Sequence, residues 1–297
     1  MPARAARSRH QANRTRRHPV GGHVLVRGGL GRGAIRHADE IGAEAVQVFV
    51  SNPRGWAQPP GDPEQDSVFR AHCENNAIPV FVHAPYLINF GSPTPQTLSR
   101  SVESTRHALR RGAELGARGV VVHAGSAVGG ARHEDAMRQV GDHLRPLLDE
   151  IADSGPLLLV EPTAGGGAAL AARAEDLPGY LDALGWHPRV GVCLDTCHLY
   201  AAGHDISTAT GMRSVLTAVS RAVGARRVGL VHANDTVDPC GSTRDHHAAI
   251  GSGNIGLDAF GALFEHPVTR GVPVVAETPE AGLGQDVSRL KQARDGG

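Results

Sequence analysis

The sequence predicts an α/β fold in which eight parallel strands alternate with helices and close into a single (β/α)8 barrel. Short continuous Val/Leu/Ile runs recur along the 297 residues at nearly regular intervals. Such runs are typical of parallel strands whose two faces are both buried. Helical patterns separate the runs, and this alternation over one long chain is typical of a barrel.

We expect eight strands, near residues 21–26, 45–50, 78–83, 119–123, 156–161, 190–195, 227–232 and 272–277. Helix starts between them are marked by Asp62 before Pro63 and by Thr94 before Pro95, because an N-cap residue is often followed by proline at the first helical position. Pro146 lies inside another helical pattern and is expected to kink that helix. A doubly wound open sheet is the competing fold, but it would collect ligands at one switch point only.

Composition excludes several classes of protein. The 30 basic and 30 acidic residues give a formal net charge of zero, so any contact with nucleic acid must come from a local patch. No apolar run approaches the roughly 20 residues that a membrane span needs. The 4 cysteines are scattered and too few for a disulfide framework, so we expect reduced thiols.

Residues 1–18 differ from the rest because they are basic, contain no acid and show no apolar periodicity. We expect a disordered N-terminal tail at 1–18 and one barrel domain at 19–297. The tail contains no hydrophobic segment of the kind found in secretory signals. The alternative is a basic arm that adds non-specific affinity for phosphates.

Six of the predicted strands end in a residue type that binds metal ions. They are the strands that end at His83, His123, Glu161, Asp195, His232 and Glu277. The carboxyl ends of barrel strands converge on one face, where barrel enzymes place their chemistry. Imidazoles and carboxylates are ligands of Zn²⁺ and related ions, so the sequence predicts a metal site at this face.

Two local clusters enlarge this set of candidate ligands. His198 follows the strand-end residue Asp195 by three positions, and Asp245 and His247 form an Asp-x-His pair on a predicted loop. The six strand ends alone exceed what one tetrahedral ion can use, and these three residues bring the number of candidate ligands to nine. The sequence therefore predicts more than two ions.

Seven sequence blocks resemble, in order, the signature blocks of the endonuclease IV family of apurinic/apyrimidinic (AP) endonucleases, which are xylose-isomerase-like TIM barrels. The blocks are His83-Ala-Pro-Tyr86-Leu-Ile-Asn89, Val-His123-Ala-Gly-Ser126, Val-Glu161-Pro-Thr-Ala-Gly165, Cys-Leu-Asp195-Thr-Cys-His198, His232-Ala-Asn-Asp235, Asp245-His-His247-Ala-Ala-Ile-Gly251-Ser-Gly253-Asn-Ile-Gly256 and Glu277-Thr. The resemblance runs from about His23 to the last helix.

The resemblance implies three zinc ions per chain. The first would be bound by His83, His123 and Glu161. The second would be bound by Glu161, Asp195, His232 and Glu277, with Glu161 bridging the two ions and positioning the nucleophilic hydroxide. The third would be bound by His198, Asp245 and His247. His23 would act next to the ligands rather than as one of them.

The resemblance also implies the reaction. A metal-activated hydroxide would attack the phosphodiester 5′ to an abasic site in duplex DNA, and three ions would stabilise the transition state and the leaving oxygen. The products would be a 3′-hydroxyl and a 5′-deoxyribose phosphate, as in base-excision repair. We expect a monomeric cytoplasmic protein of bacterial type, associated with the nucleoid during repair and with no membrane partner.

The loops after the second and third strands are those with which the family probes DNA. The resemblance therefore implies that Asn52, Arg54 and Tyr86 contact DNA, with Arg54 and Tyr86 entering the base stack. Trp56 is expected to pack under its loop. The sequence departs from common family residues at Pro53, Ala124, Pro162, His246 and Ser252, which could alter metal affinity or rate.

Two other functions stay open at this point. A sugar isomerase or epimerase of the related barrels would also use acidic and histidine strand ends, with one or two ions. It would have no use for Asp245 and His247, so these residues discriminate between the two functions. A barrel that binds damaged DNA without cleaving it is the third alternative.

Overall fold

The computed structural model describes residues 18–296 and contains a closed barrel of eight parallel strands that follow one another in chain order. β1 pairs with both β2 and β8, which closes the barrel and confirms the predicted fold class. The strands are β1 Val20–His23, β2 Val46–Phe49, β3 Val80–His83, β4 Gly119–His123, β5 Leu157–Glu161, β6 Val190–Asp195, β7 Val228–His232 and β8 Val274–Ala276. Seven strands lie within their predicted ranges, and β1 begins one residue before its range and ends three residues before the end of it.

Within residues 18–296, nine α-helices lie outside the barrel. They are α1 Ile35–Glu40, α2 Pro63–Asn75, α3 Pro95–Glu114, α4 His133–Asp149, α5 Leu177–Ala183, α6 Thr196–Ala201, α7 Ala209–Val223, α8 Leu257–Glu265 and α9 Leu283–Asp295. The Asp62 side chain accepts hydrogen bonds from two backbone N–H groups of α2, as an N-cap residue should. Thr94 precedes α3 without such a bond, and α4 continues through Pro146.

The last residue of the predicted tail packs against the barrel. His18, assigned to the tail, is buried, and its ring nitrogens lie 3.1 Å from the carbonyl oxygen of Val272 and 3.0 Å from that of Phe264. The rest of the predicted tail lies outside the described residues. Among the helices of residues 18–296, none is long and apolar enough to cross a membrane.

Side chains fill the barrel axis in layers, as in a packed core rather than a pore. One layer is a separate apolar cluster of seven buried residues, namely Ala45, Phe81, Val121, Leu159, Cys193, Leu230 and Val275. Alternate residues of a strand point to the same face. The residue two positions after each member therefore also points inward, at the carboxyl end of the barrel, where the predicted ligands lie.

The loop after β7 is held in place by the buried carboxylate of Asp235. Its Oδ1 atom accepts hydrogen bonds from backbone N–H groups of Thr236 at 2.9 Å and Ile255 at 3.0 Å. Its Oδ2 atom accepts them from Gly251 at 2.9 Å and Gly253 at 3.1 Å. A Cβ atom at Gly253 would lie 2.4 Å from Asp235 Oδ1, so glycine permits this approach. One carboxylate thus fixes the loop that carries the predicted Asp-x-His pair.

We predict that Asp235→Ala lowers the free energy of unfolding by about 3 kcal/mol, because four backbone donors lose a charged acceptor. Amide hydrogen exchange should accelerate selectively in residues 245–255, measured by mass spectrometry. Asp235→Asn keeps one acceptor oxygen and should have a smaller effect. Unchanged exchange in this loop for the alanine variant would contradict the anchoring role.

Candidate metal centre

The carboxyl ends of six strands bring the six predicted strand-end ligands into one pocket. Five of these residues are the last of their strands, and Glu277 directly follows β8. The register places His123 beside Glu161 and Asp195 beside His232 on adjacent strands. His198 comes from the first turn of α6, directly after β6, and the loop after β7 supplies Asp245 and His247.

The nine candidate ligands fall into three groups, the potential ligand atoms of each group lying within 4.8 Å of one another, and the first two groups share Glu161. The groups are His83, His123 and Glu161; Glu161, Asp195, His232 and Glu277; and His198, Asp245 and His247. These are the same sets that the family resemblance implies. The structure thus brings together every residue for which a ligand role was predicted.

Glu161 lies at the centre of the pocket and is fully buried. Its Oε2 atom lies 3.4 Å from His83 Nε2 and 3.3 Å from His123 Nε2, yet it has no hydrogen-bond partner among the described residues. Its Oε1 atom lies 2.9 Å from His232 Nδ1. An unpaired buried carboxylate oxygen that faces two imidazole nitrogens is the arrangement that a divalent cation would complete.

The second group places three carboxylates around one imidazole. His232 Nδ1 lies 3.2 Å from Glu277 Oε2 and 3.9 Å from Asp195 Oδ2, in addition to its contact with Glu161. Burial raises the pKa of Asp195. Burial would also raise the pKa of Glu277, but the charge of His232, the hydrogen bond from His23 and the charge of His83 together outweigh burial and hold that pKa below its usual range. Such crowded negative charge attracts cations.

The third group lies at the rim of the pocket. The Asp245 carboxylate is 3.2 Å from His198 Nε2 and 3.0 Å from His247 Nε2, and its side chain is 47% exposed. Burial works against protonation of both imidazoles. Nearby carboxylates outweigh burial and raise the pKa of His198 to about 10 and that of His247 to about 9. This group therefore combines strong ligands with access from solvent.

Backbone carbonyl groups orient three of the five histidines. The Nδ1–H groups of His83, His198 and His247 can donate to the carbonyl oxygens of Ala84 at 2.7 Å, Pro162 at 2.9 Å and Glu277 at 3.2 Å. Each of these rings then presents Nε2 to the pocket. A donor bond on the far nitrogen is how proteins usually fix the tautomer of a ligand histidine.

The departures from common family residues leave these contacts in place. Pro162 supplies a backbone oxygen to His198, so the contact does not depend on its side chain. Ala124 donates its backbone N–H to the Glu161 carbonyl at 2.9 Å, and Ser252 likewise donates to Ala249. His246 points away from the ligand groups, with Nδ1 2.8 Å from a carboxylate oxygen of Asp238.

The predicted DNA-contacting residues lie beside the pocket on the same face. The Asn52 side chain accepts a hydrogen bond from the Arg54 backbone at 2.9 Å, which forms a turn that leaves Arg54 exposed. Tyr86 is 45% exposed, and its ring centroid lies 5.2 Å from that of His83. The Tyr86 N–H donates to the Pro53 carbonyl at 2.9 Å, so the two loops are joined. Trp56 is partly buried and packs against the core.

Sequence reasoning missed two polar residues that contact the ligands. Gln47 is fully buried in β2 and contacts His23, His232 and Glu277. Asn234 donates to Asp195 Oδ2 at 2.7 Å and accepts from the Glu277 backbone at 2.8 Å. A single polar residue inside an apolar strand run was the available signal for Gln47.

His23 lies next to the ligands, as expected. Its Nδ1 atom is 3.4 Å from Glu277 Oε1, and its Nε2 atom is buried without a hydrogen-bond partner among the described residues. Burial lowers the pKa of His23, which favours the neutral ring. The role implied for His23, next to the ligands rather than as one of them, stays a prediction.

Comparison with known proteins agrees with this geometry. The family profile described as xylose isomerase-like TIM barrel matches residues 35–296. A Streptomyces avermitilis protein named Probable endonuclease 4 is 55% identical over 283 residues, which cover 94% of this chain and 91% of that protein. The crystal structure of endonuclease IV from Thermus thermophilus superposes with a TM-score of 0.78 at 34% identity, covering 93% of this chain and 99% of the other.

Sugar-converting barrels share the fold alone. A structure of L-ribulose 3-epimerase superposes with a TM-score of 0.67 but is 17% identical, with coverage of 94% of this chain and 96% of the other. The curated relatives and the Thermus structure are far more similar in sequence and match nearly the full length. The chain therefore belongs to the endonuclease IV family of xylose isomerase-like TIM barrels.

Proposed function

We propose that this protein is a zinc-dependent AP endonuclease with three ions per chain. It hydrolyses the phosphodiester 5′ to an abasic site in duplex DNA and leaves a 3′-hydroxyl and a 5′-deoxyribose phosphate. We further propose that it acts as a monomer in the cytoplasm, in DNA base-excision repair. Family membership and the three adjacent ligand groups support this proposal.

The position of Asp245 and His247 is the observation that carries the proposal. These residues approach His198, whose Nδ1 atom lies 3.4 Å from Glu161 Oε1, so the rim group is continuous with the buried centre. A sugar isomerase with one or two ions would not need this third group. Hydrolysis of a phosphodiester builds up negative charge on the phosphate oxygens and on the leaving oxygen. A third cation can stabilise this charge.

The charges of the pocket suit an anionic substrate. Four carboxylates and five neutral imidazoles would leave an excess of positive charge when three divalent ions are bound. The bound ions would supply Lewis-acid stabilisation of the phosphate oxygens and would lower the pKa of the attacking water. Glu161 belongs to both of the first two groups and would therefore help to hold the ion of each.

Residues of the two joined loops would recognise the lesion. Tyr86 covers His83, and its ring could pack against the sugar of an extruded abasic nucleotide, which costs less to extrude because it is unpaired. Arg54 is exposed at the tip of its turn, where it could enter the gap in the stack or bind phosphate. Asn52 shapes that turn through its side chain.

The direct test is incision of a duplex that contains one abasic site. Metal-replete protein should nick it on the 5′ side, a strong chelator should abolish nicking, and added zinc should restore it. The product ends, read on a sequencing gel, should be a 3′-hydroxyl and a 5′-deoxyribose phosphate. Absence of incision together with interconversion of a ketose and an aldose would establish the isomerase function instead.

We predict that Glu161→Ala loses bound metal and lowers kcat by at least about 1,000-fold, because two ligand groups share this residue. Metal content by mass spectrometry and single-turnover incision measure the two effects. Glu150→Ala is a matched control, since that exposed glutamate pairs with Arg106 on the outside of the barrel. Full metal content with lost activity would contradict a bridging role for Glu161.

We predict that zinc binding at pH 7 releases protons. The metal-stripped protein holds protons on His198 and His247, because the pKa values of about 10 and about 9 lie above neutrality. Zinc requires the neutral rings and must displace these protons, so its affinity should rise from pH 7 to pH 9. Calorimetry in buffers of different ionisation enthalpy measures the release. A binding enthalpy that is independent of buffer would contradict it.

The same pKa shifts make the stability of the metal-stripped protein fall as the pH rises, whereas its affinity for zinc rises. His198 and His247 have higher pKa values in the folded protein than the value near 6.5 of an unfolded chain, so their protonation stabilises the folded state. This stabilisation is fully present below about pH 6.5. That contribution disappears as the pH rises through about 9 and 10. Thermal unfolding of stripped protein should therefore shift to lower temperature over this interval.

We predict that Arg54→Ala raises KM for the abasic duplex about tenfold, the effect of losing roughly 1.4 kcal/mol of binding. Metal content should not change, because Arg54 does not contact the ligand groups. Arg226→Ala is the matched control, since this exposed arginine precedes β7 at the opposite end of the barrel. An equal effect of both substitutions on KM, or zinc loss in the Arg54 variant, would contradict the assigned role.

A further inference from the structure

The pocket has eight inward positions at the strand ends, of which the predicted ligands account for six. The period of two along each strand assigns the remaining positions to His23 on β1 and Gln47 on β2. Gln47 follows Ala45, a member of the apolar barrel layer, by two residues, just as Glu161 follows Leu159. Gln47 therefore occupies a ligand-like position but carries an amide.

Both the nitrogen and the oxygen of the Gln47 side-chain amide contact residues of the pocket. Its Nε2 atom donates to Glu277 Oε1 at 2.6 Å and lies 3.0 Å from His23 Nδ1. Its Oε1 atom lies 2.9 Å from His232 Nε2 and accepts from that N–H. Gln47 is 0% exposed, so it cannot reach a DNA substrate.

The neighbours determine which way the amide points. The opposite orientation would place the amide oxygen against the Glu277 carboxylate and would leave His232 Nε2–H facing an NH₂ group. Both contacts would be repulsive. In the orientation found here, the two N–H groups of the amide face Glu277 and His23, and its oxygen faces the His232 N–H. The amide therefore holds a hydrogen on His232 Nε2.

This contact makes His232 different from the three histidines whose rings are oriented by backbone carbonyls. Those rings present Nε2 to the pocket, whereas His232 presents Nδ1, which lies 2.9 Å from Glu161 Oε1 and 3.2 Å from Glu277 Oε2. The oxygen that fixes the His232 tautomer belongs to a side chain. A single substitution can therefore remove it without a change in the backbone.

We propose that Gln47 is a positioning residue that directs Nδ1 of His232 and the carboxylate of Glu277 at the second ion, and so sets the affinity of that ion. The inference rests on the proposed function in that it assumes a metal ion in the second ligand group. Gln47 neither binds the ion nor touches the substrate; it acts through the two ligands with which it hydrogen bonds.

Metal retention is the first test. Purified holoprotein is titrated with a competing chelator, and bound zinc is counted by mass spectrometry for wild type, Gln47→Met and Gln47→Glu. Methionine fills nearly the same volume but offers no hydrogen bond of comparable strength. We expect Gln47→Met to lose one ion at a chelator concentration about 10- to 100-fold lower than wild type. This is the effect typically seen when a residue that hydrogen bonds to a metal ligand is removed.

Long-range ¹H–¹⁵N spectra of histidine-labelled, zinc-loaded protein give a readout that a general loss of stability would not produce. We expect zinc on Nδ1 of His232 in wild type and in Gln47→Glu, because glutamate retains an oxygen that accepts from Nε2–H. In Gln47→Met we expect that preference to be lost. Incision kinetics should show a lower kcat with an unchanged KM, because Gln47 is buried.

Gln139→Leu is a matched control. Gln139 on α4 also makes two hydrogen bonds at 2.7 Å, to the backbone oxygens of Phe90 and Ser92, and should keep all its zinc when replaced. Equal metal loss in this control, or unchanged zinc retention and Nδ1 ligation in Gln47→Met, would overturn the inference. Wild-type protein that binds zinc as expected but does not incise DNA would refute the proposed function and leave the role of Gln47 intact.

Discussion

The central constraint on this structure is that the carboxylate of Glu161, buried at the mouth of the barrel, must be neutralised. Glu161 is inaccessible to water, and an unpaired ionised carboxylate in such a place is very costly. In the proposed enzyme, divalent ions and surrounding imidazoles meet this need. The same ions would create positive potential where a phosphodiester must bind. The charge that stabilises the pocket would thus also serve the reaction.

Two kinds of support hold the ligands, and they differ in how they respond to mutation. Strand register and backbone carbonyl groups fix most of the histidines, so a change such as proline at position 162 preserves the contact with His198. Single side chains carry the remaining support. Asp235 anchors the loop after β7, and Gln47 orients His232. Substitutions at Asp235 or Gln47 should therefore lower stability or metal retention more than substitutions at many positions nearer the surface.

Much of the fold could be read from the sequence because a barrel repeats its pattern. Apolar strand runs ended at ligand-type residues, and five of the six such strands end at the expected residue. Gln47 could not be assigned a role in this way, because its contacts come from β1, from β7 and from the residue after β8. Likewise, four donors converge on Asp235 only after the chain folds back. The packed position of His18 depends on distant carbonyl groups in the same way.

Anomalous diffraction at the zinc edge, from crystals of the protein with an abasic duplex, tests the central claim most directly. The account predicts three peaks, one in each ligand group, with Glu161 between the first two and the phosphate 5′ to the lesion in contact with the ions. A single peak, or density for DNA away from the pocket, would contradict it.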